Sequence, residues 1–419
     1  MVTETKKYIM QISTLITGTT MANVIPILVV PILSRMYSPA DFGVIALFIS
    51  LTAIVGSISN GRYELAIILP RDQREAIALT LSSVLIALSL ALVLLPPVIL
   101  LNAPLAKLLN NENIGLWLYL LPLSIFIFGV NNPLNYYHVR KERYKAVTAA
   151  KIARALSLAI VQLYGGVMGW GGSGLILGFL VASLVESLVL FRRTRPEWDV
   201  FRSINMNEMK TQMKRYIRFP KFSAWGAASN TLSTNLIDIV IPAIFSTVML
   251  GYYALINRIL GMPLKMIGNS ISQVYFQKAA EQRNEKGDTW PVFKQTFLML
   301  IGISLPLFML IFLFIEDLFG IVFGEEWAIA GSYAKILLPL FAVRFIVSPL
   351  SVTCSVYEKQ KVAFIWQLSL LLSIIIIFIA TQYNNYGFDK FLNLFTWLSS
   401  ALYLIMLAFV IRLSLGKHQ

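Results

Sequence analysis

The chain has 419 residues, of which 57% are hydrophobic and only 13% charged, and its mean hydropathy is +0.71. A soluble domain is nearer about 45–50% apolar and about 25% charged, so a soluble globular protein is excluded and a membrane protein is indicated. The net charge of +14 would suggest nucleic acid in a soluble chain, but here it is read as the Lys and Arg of cytoplasmic loops, and no nucleic-acid partner is expected.

A bilayer core takes roughly 20 apolar residues per helix. Spans are expected at 8–33, 42–60, 76–101, 114–137, 148–168, 172–191, 221–245, 250–276, 292–315, 331–354, 362–382 and 391–413. The first, preceded by Lys6 and Lys7, is too long for a signal-peptide core and is read as a span that stays. Interior prolines such as Pro26, Pro96, Pro122 and Pro263 are tolerated, because neighbouring groups in a helix bundle re-satisfy the freed backbone. The fold class is therefore all-α, about twelve transmembrane helices, with no room for a separate soluble domain.

With the N-terminus inside, 28 of the 35 Lys and Arg fall in cytoplasmic segments, three in outer loops and four within spans. The positive-inside rule then puts both termini in the cytoplasm. The loop around Glu316, Asp317, Glu325 and Glu326 carries acids and no Lys or Arg, as an outer loop can. The longest loop, 192–220, is polar and basic. Its residues 205–218 suit an amphipathic helix on the inner leaflet.

That loop divides a weak internal repeat. LLPL at 120–123, Pro133-Leu134 and Tyr137 recur as LLPL at 337–340, Pro349-Leu350 and Tyr357. GVIAL at 43–47 and SISN at 57–60 recur as GYYAL at 251–255 and SISQ at 270–273. The expected domains are an N-lobe at 1–191, a cytoplasmic linker at 192–220 and a C-lobe at 221–419, with six helices per lobe. Parallel repeats of this kind are related by an axis along the membrane normal, which predicts a cavity between the two lobes.

The candidate site comes from charges where charge is costly. An ionised side chain at the bilayer centre costs roughly 2.5–3.5 kcal/mol on the insertion scale, so it should face a cavity or a partner. On helix 8, Arg258 and Lys265 are seven apart, hence on one face, and Asn269 and Ser272 extend the stripe. At 1.5 Å per residue, Lys265 lies about 22 Å from the outer end of its span and Arg258 about 12 Å. Asn230, Thr234 and Asp238 form a polar stripe on helix 7, with Asp238 at about the depth of Arg258. An Asp238–Arg258 ion pair is expected, structural or coupling. Arg344 lies about 20 Å down helix 10. Two deep cations without an obvious acid partner point to an anionic cargo. Lys335 is shallow enough to snorkel. Glu186 is also assigned to snorkelling, and Arg35, Arg62, Glu64 and Arg154 to the interface.

Several chemistries are not indicated. Gly169, Gly171 and Gly174 spell GxGxxG, but no strand precedes them and a tight outer turn explains them. There is no Walker A loop. One cysteine, Cys354, excludes an internal disulfide and a multi-cysteine zinc site, and two histidines, His138 and His418, fall in a loop and at the tail. No catalytic residue, metal or cofactor is expected.

Five strings carry a family resemblance: PILSRMYSPADFG at 31–43, GRYELAIILPRDQREA at 61–76, RYIRFPKFS at 215–223, VMLGYYALINRILGMP at 248–263 and FGEEWAIAGSY at 323–333. In that order and spacing the chain resembles the polysaccharide flippases, the Wzx-type O-antigen translocases of the multidrug/oligosaccharidyl-lipid/polysaccharide (MOP) superfamily. The resemblance implies a two-lobed fold of twelve helices around a cationic cavity, and no enzyme activity. It implies that an undecaprenyl-pyrophosphate-linked oligosaccharide, such as an O-antigen repeat unit, is moved from the inner to the outer leaflet of the bacterial cytoplasmic membrane by alternating access. It further implies H+ or Na+ coupling and a glycan polymerase complex as partner. Arg258 lies in a matched string; Lys265, Arg344, Asn269, Asn230 and Asp238 come from position alone. The alternatives are a lipid II flippase, a multidrug exporter, for which an acid-rich cavity would be expected, and a glycan polymerase or ligase, for which a large outer loop would be expected.

Overall fold

The computed structural model describes residues 2–108 and 114–416, with side chains from residue 18 onward; His418 lies outside them. The described regular structure is all helix. In chain order the long helices are α1 (Val2–Leu33), α2 (Pro39–Gly56), α3 (Gln73–Leu100), α4 (Leu121–Arg140), α5 (Tyr144–Val167) and α6 (Gly172–Arg192). They are followed by α7 (Ala224–Ile244), α8 (Thr247–Ile256, a widened turn at Asn257–Gly261, then Met262–Lys286), α9 (Trp290–Phe323), α10 (Ala328–Leu350), α11 (Gln360–Asn384) and α12 (Phe388–Ser414). Eight of these segments are long and apolar enough to cross a membrane, namely α2, α3, α5, α6, α9, α10, α11 and α12. Three of the rest, α4, α7 and α8, carry the polar residues Asn131, Asn132 and Asn135, Asn230 and Asp238, and Lys265 and Asn269 within their length.

Contacts group residues 1–247 as one compact unit and 248–419 as another. In the first unit, local chemistry sets the helix starts. Ser38 and Asp41 form a reciprocal capping box at the start of α2, with Pro39 at its first position, and Asp72 caps α3. Small residues let the helices close up, as in membrane bundles generally. A Cβ on Gly129 of α4 would lie 2.3 Å from the Cβ of Ala87 on α3. We therefore expect Gly129→Val to lower the yield of folded protein in detergent sharply, whereas Ala87→Gly with Gly129→Ala should recover it. Equal yields for Gly129→Val and the parent would refute this packing. Side chains then tie helix to backbone: Asn60 Nδ2 donates to Ser83 O (3.0 Å) and Gly129 O (2.7 Å), and Tyr37 Oη donates to Gln162 O (2.6 Å).

The GxGxxG string behaves as a turn. Gly169 and Gly171 take φ of 67° and 54° between α5 and α6, which glycine adopts without strain. Gly174 is the third for a different reason: a Cβ there would meet Tyr37 Oη at 2.3 Å.

The 192–220 segment contains the expected amphipathic helix, over Met206–Arg215, with Asn205 and Glu208 as its capping box. Its buried side, Met209 and Gln212, packs on protein. The partners are visible: Tyr63 Oη donates to Met213 O (2.9 Å), Arg74 Nε to Glu208 (2.6 Å), and Arg215 pairs with Glu75 (3.3 Å). Arg143 clamps buried Glu197 through both of its terminal nitrogens. The Arg74 guanidinium holds the Glu208 carboxyl below its ordinary range. Removing that carboxylate removes the acceptor of the Asn205 N–H and the bond to Arg74. Glu208→Ala should therefore speed tryptic cleavage at Lys210 and Lys214 of the purified protein; unchanged cleavage would count against the docking.

Two acids assigned to helix ends are buried instead. Glu64, 2% exposed, lies in the short helix Tyr63–Ile68 and pairs with Arg62 at 3.3 Å; burial pushes its carboxyl up. Glu186 is treated below.

In the second unit, Trp327 and Phe391 are fully buried, and Tyr333 meets Phe388 edge-on at 4.9 Å. Glu316 and Asp317 belong to α9, not to a loop, and Glu316 pairs with Lys335 at 3.2 Å. Lys335 thus has an acid partner and a ring beneath it, Phe312 at 4.9 Å, in place of snorkelling alone.

Hydrogen bonds repeat where the sequence repeats. After α4, the N–H groups of Lys141, Glu142 and Arg143 donate to the carbonyls of Tyr137, Val139 and His138, with Glu142 at φ 53°. After α10, Tyr357, Glu358 and Lys359 donate to Thr353, Ser355 and Cys354, each bond 216 positions on, with Glu358 at φ 57°. Trp170 N–H donates to Gly165 O in the α5–α6 turn; Tyr386 donates to Thr381 O in the α11–α12 turn, at the same offset. The α4–α5–α6 arrangement therefore recurs locally as α10–α11–α12.

Candidate functional site

In the second unit, α8 packs on α10: Tyr275 Oη of α8 hydrogen-bonds with Thr353 Oγ1 just past the end of α10 (2.7 Å), and Gly268 lies against Pro349. Lys265 on α8 and Arg344 on α10 lie on these packed helices, and their like charges act on one another. Both are exposed on the surface of the unit. Neither makes a hydrogen bond or ion pair among the described residues. Asn269 is exposed one turn below Lys265 on the same helix.

Arg258 does not share that face as expected. It sits in the widened turn Asn257–Gly261, where Met262 N–H reaches back to Asn257 O. Pro263 has no N–H and its ring crowds the preceding turn, and a π-type turn absorbs this by admitting one extra residue. One residue of an α-helix is about 100° of rotation. The seven-residue spacing therefore no longer aligns Arg258 with Lys265.

In the first unit, Asp238 on α7 accepts a hydrogen bond from Ser50 Oγ on α2 at 2.6 Å, and the same hydroxyl lies 3.4 Å from Asn235 Oδ1. Asn230 is exposed, and its main-chain carbonyl accepts from Thr234 Oγ1 at 3.1 Å.

The first unit also holds a polar cavity of about 300 Å³ among α2, α4, α5 and α6. Helix α4 contributes Ser124, Asn131, Asn132 and Asn135, and Phe128 and Phe179 form apolar walls. Helix α5 contributes Lys151 and Arg154, and α6 contributes Ser183 and Glu186. Arg154 Nη1 donates to Glu186 Oε2 at 3.0 Å and its guanidinium lies 5.9 Å from the Phe179 ring centre. Glu186 is 7% exposed, so it is a buried, paired acid, and snorkelling is corrected. The Arg154 guanidinium is likewise part of a cavity wall. Asn131 is engaged at both ends: its amide donates to Ser183 O (3.1 Å) and its oxygen accepts from Ser187 Oγ (2.6 Å).

The sequence does carry a signal for this cavity: NNPLN at 131–135, two bases at i and i+3 on α5, and an acid on α6. Their nearness to helix ends hides it. Arg154 is in fact ten residues into α5, about 15 Å along its axis.

The fold matches solved MOP-superfamily structures. An inward-facing multidrug resistance MATE family transporter of the MOP superfamily matches with a TM-score of 0.68 at 16% identity over 95% of each chain. The lipid II flippase MurJ in an inward closed conformation matches with a TM-score of 0.69 at 15% identity, over 95% of this chain and 89% of that one. A MOP superfamily transporter from Pyrococcus furiosus matches at 0.57 and 16%, over 98% and 95%. These identities establish the fold alone. A search of curated protein sequences finds no match. Residues 32–331 match the family model described as polysaccharide biosynthesis protein.

The class is thus a multi-pass helical membrane protein with the fold of MOP-superfamily transporters. Within it, the chain belongs to the polysaccharide biosynthesis protein family.

Proposed function

We propose that this protein is a flippase for an undecaprenyl-pyrophosphate-linked oligosaccharide, an O-antigen unit or a close equivalent, working from the inner to the outer leaflet of the bacterial cytoplasmic membrane with both termini in the cytoplasm. Division of labour between residues 1–191 and 221–419, joined by 192–220, and alternating access are part of this proposal. The observation that carries it is the Lys265–Arg344 couple. Two like charges on packed helices of a membrane protein, with no acid bonded to either among the described residues, are a costly arrangement unless an anion joins them. A diphosphate suits this couple: Arg offers a planar fork for two oxygens and Lys a mobile point charge. Asn269, one turn from Lys265 on the same helix, offers an amide to a sugar hydroxyl. The family supplies the polysaccharide context.

Deleting the gene and extracting lipids tests this directly. A lipid-linked oligosaccharide should accumulate, oriented to the inner leaflet; wild-type lipid profiles would overturn the proposal. Asp238, held by Ser50, is proposed as the acid that couples transport to H+ or Na+. Asp238→Asn should remove transport driven by an imposed ion gradient in proteoliposomes, and Ser50→Ala should weaken it severalfold. Full gradient-driven transport by Asp238→Asn would exclude this role.

A further inference from the structure

The cavity in the first unit has no role in diphosphate binding, yet it gathers polar groups that a membrane helix bundle ordinarily avoids. Its roughly 300 Å³ is far larger than the space of a single water, about 30 Å³, and stands at the small end of ligand pockets, which begin at about 300 Å³. One ring-sized ligand fits.

The chemistry of the wall narrows the class. Asn132 and Asn135 supply amide donors and acceptors, and Asn135 Oδ1 is buried without a hydrogen-bond partner. Groups of this kind recur where a ligand carries several hydroxyls, each able to donate and accept. Phe128 and Phe179 offer apolar faces for the C–H side of such a ring. The charges decide the rest. Glu186 is already neutralised by Arg154 at 3.0 Å. Lys151 is left with a single weak contact among the described residues, to Thr19 Oγ1 at 3.5 Å. The cavity therefore holds one surplus positive charge beside a set of hydroxyl-matching amides.

We infer that this cavity is a monosaccharide subsite for a sugar ring bearing a carboxylate, a uronic-acid residue of the transported glycan, with Lys151 on the carboxylate and Asn132 and Asn135 on ring hydroxyls. The inference rests on the flippase proposal for the identity of the cargo, but its test does not use transport.

Purified protein in lipid nanodiscs is titrated with methyl β-D-glucuronide, methyl β-D-glucoside and acetate, with binding followed by saturation-transfer NMR. The glucuronide should bind, the glucoside at least tenfold more weakly, and acetate not measurably. Lys151→Met and Asn132→Ala should each reduce glucuronide binding tenfold or more, Lys151→Arg should largely retain it, and Lys265→Ala should leave it unchanged. Should Lys151→Met fail to fold, Asn132→Ala with Lys151→Arg decides. Equal binding of glucoside, binding of acetate, no binding at all, or loss in Lys265→Ala each overturns the subsite. A deletion strain without accumulated lipid-linked sugar would sink the flippase proposal while leaving this binding result standing.

Discussion

Lys265→Ala and Arg344→Ala should each bring surface glycan to background while the protein stays in the membrane at normal level. A hydrogen bond to a charged partner is worth about 1.5–3 kcal/mol, so each loss should weaken cargo binding by roughly 10- to 150-fold. The effect on export should exceed that of a lone cation, because the pair acts on one anion. Arg344→Lys should be intermediate: the charge remains, but the two-pronged geometry does not. Lys335→Ala is the matched control, since its ammonium is already satisfied by Glu316 at 3.2 Å; it should export normally. Surface glycan is read by silver-stained gels and protein by immunoblot of membranes. Normal glycan in both Lys265→Ala and Arg344→Ala would remove the anion site.

Glu186→Ala should be the most destabilising single change in the first-unit cavity. It leaves the Arg154 guanidinium without its carboxylate. Breaking a buried pair from one side costs about 3–5 kcal/mol, but the Arg154 side chain is 41% exposed, so about 1–3 kcal/mol is expected after discounting for exposure. Replacing both partners with apolar residues, Arg154→Met with Glu186→Leu, should restore much of that loss, because the desolvation of two charges disappears with them. SDS-driven unfolding of the purified protein measures both. If Glu186→Ala unfolds at the parental SDS fraction, the ion pair adds nothing to stability. If the double variant is no more stable than the single, the loss comes from packing and not from charge.

Which parts were legible in the sequence follows from physics. Apolar runs of about twenty residues announce membrane helices whatever their partners, and α3, α9, α11 and α12 fall where hydropathy puts them. Ser38, Pro39 and Asp41 announce the start of α2 because a capping box is local chemistry. The repeat is visible as LLPL and Pro-Leu, and at the 216-residue offset of Pro133 and Pro349 the turns that follow repeat their hydrogen bonds. Lys265 and Arg344 stand out one at a time as charges within apolar stretches, since a charge there is expensive wherever it points.

Pairings were not legible. A helical wheel assumes 3.6 residues per turn, and the widened turn before Pro263 breaks that assumption between Arg258 and Lys265. The partner of Glu186 is 32 residues away on another helix, and distance from a helix end says nothing about what lies beside it. The apolar side of 206–215 is the same for a helix on lipid and a helix on protein; only Tyr63, Arg74 and Glu75 decide between them.

The sequence by itself determined that this is an all-helical membrane protein and which of its charged residues fall inside apolar stretches. These follow from the transfer of single side chains out of water, which needs no neighbour. The tertiary structure alone decided that the helices of Lys265 and Arg344 pack together, that Asp238 is held by Ser50, and that Asn132, Asn135, Lys151 and the Arg154–Glu186 pair line one cavity. Those depend on how helices far apart in sequence pack, and hydropathy carries no term for that.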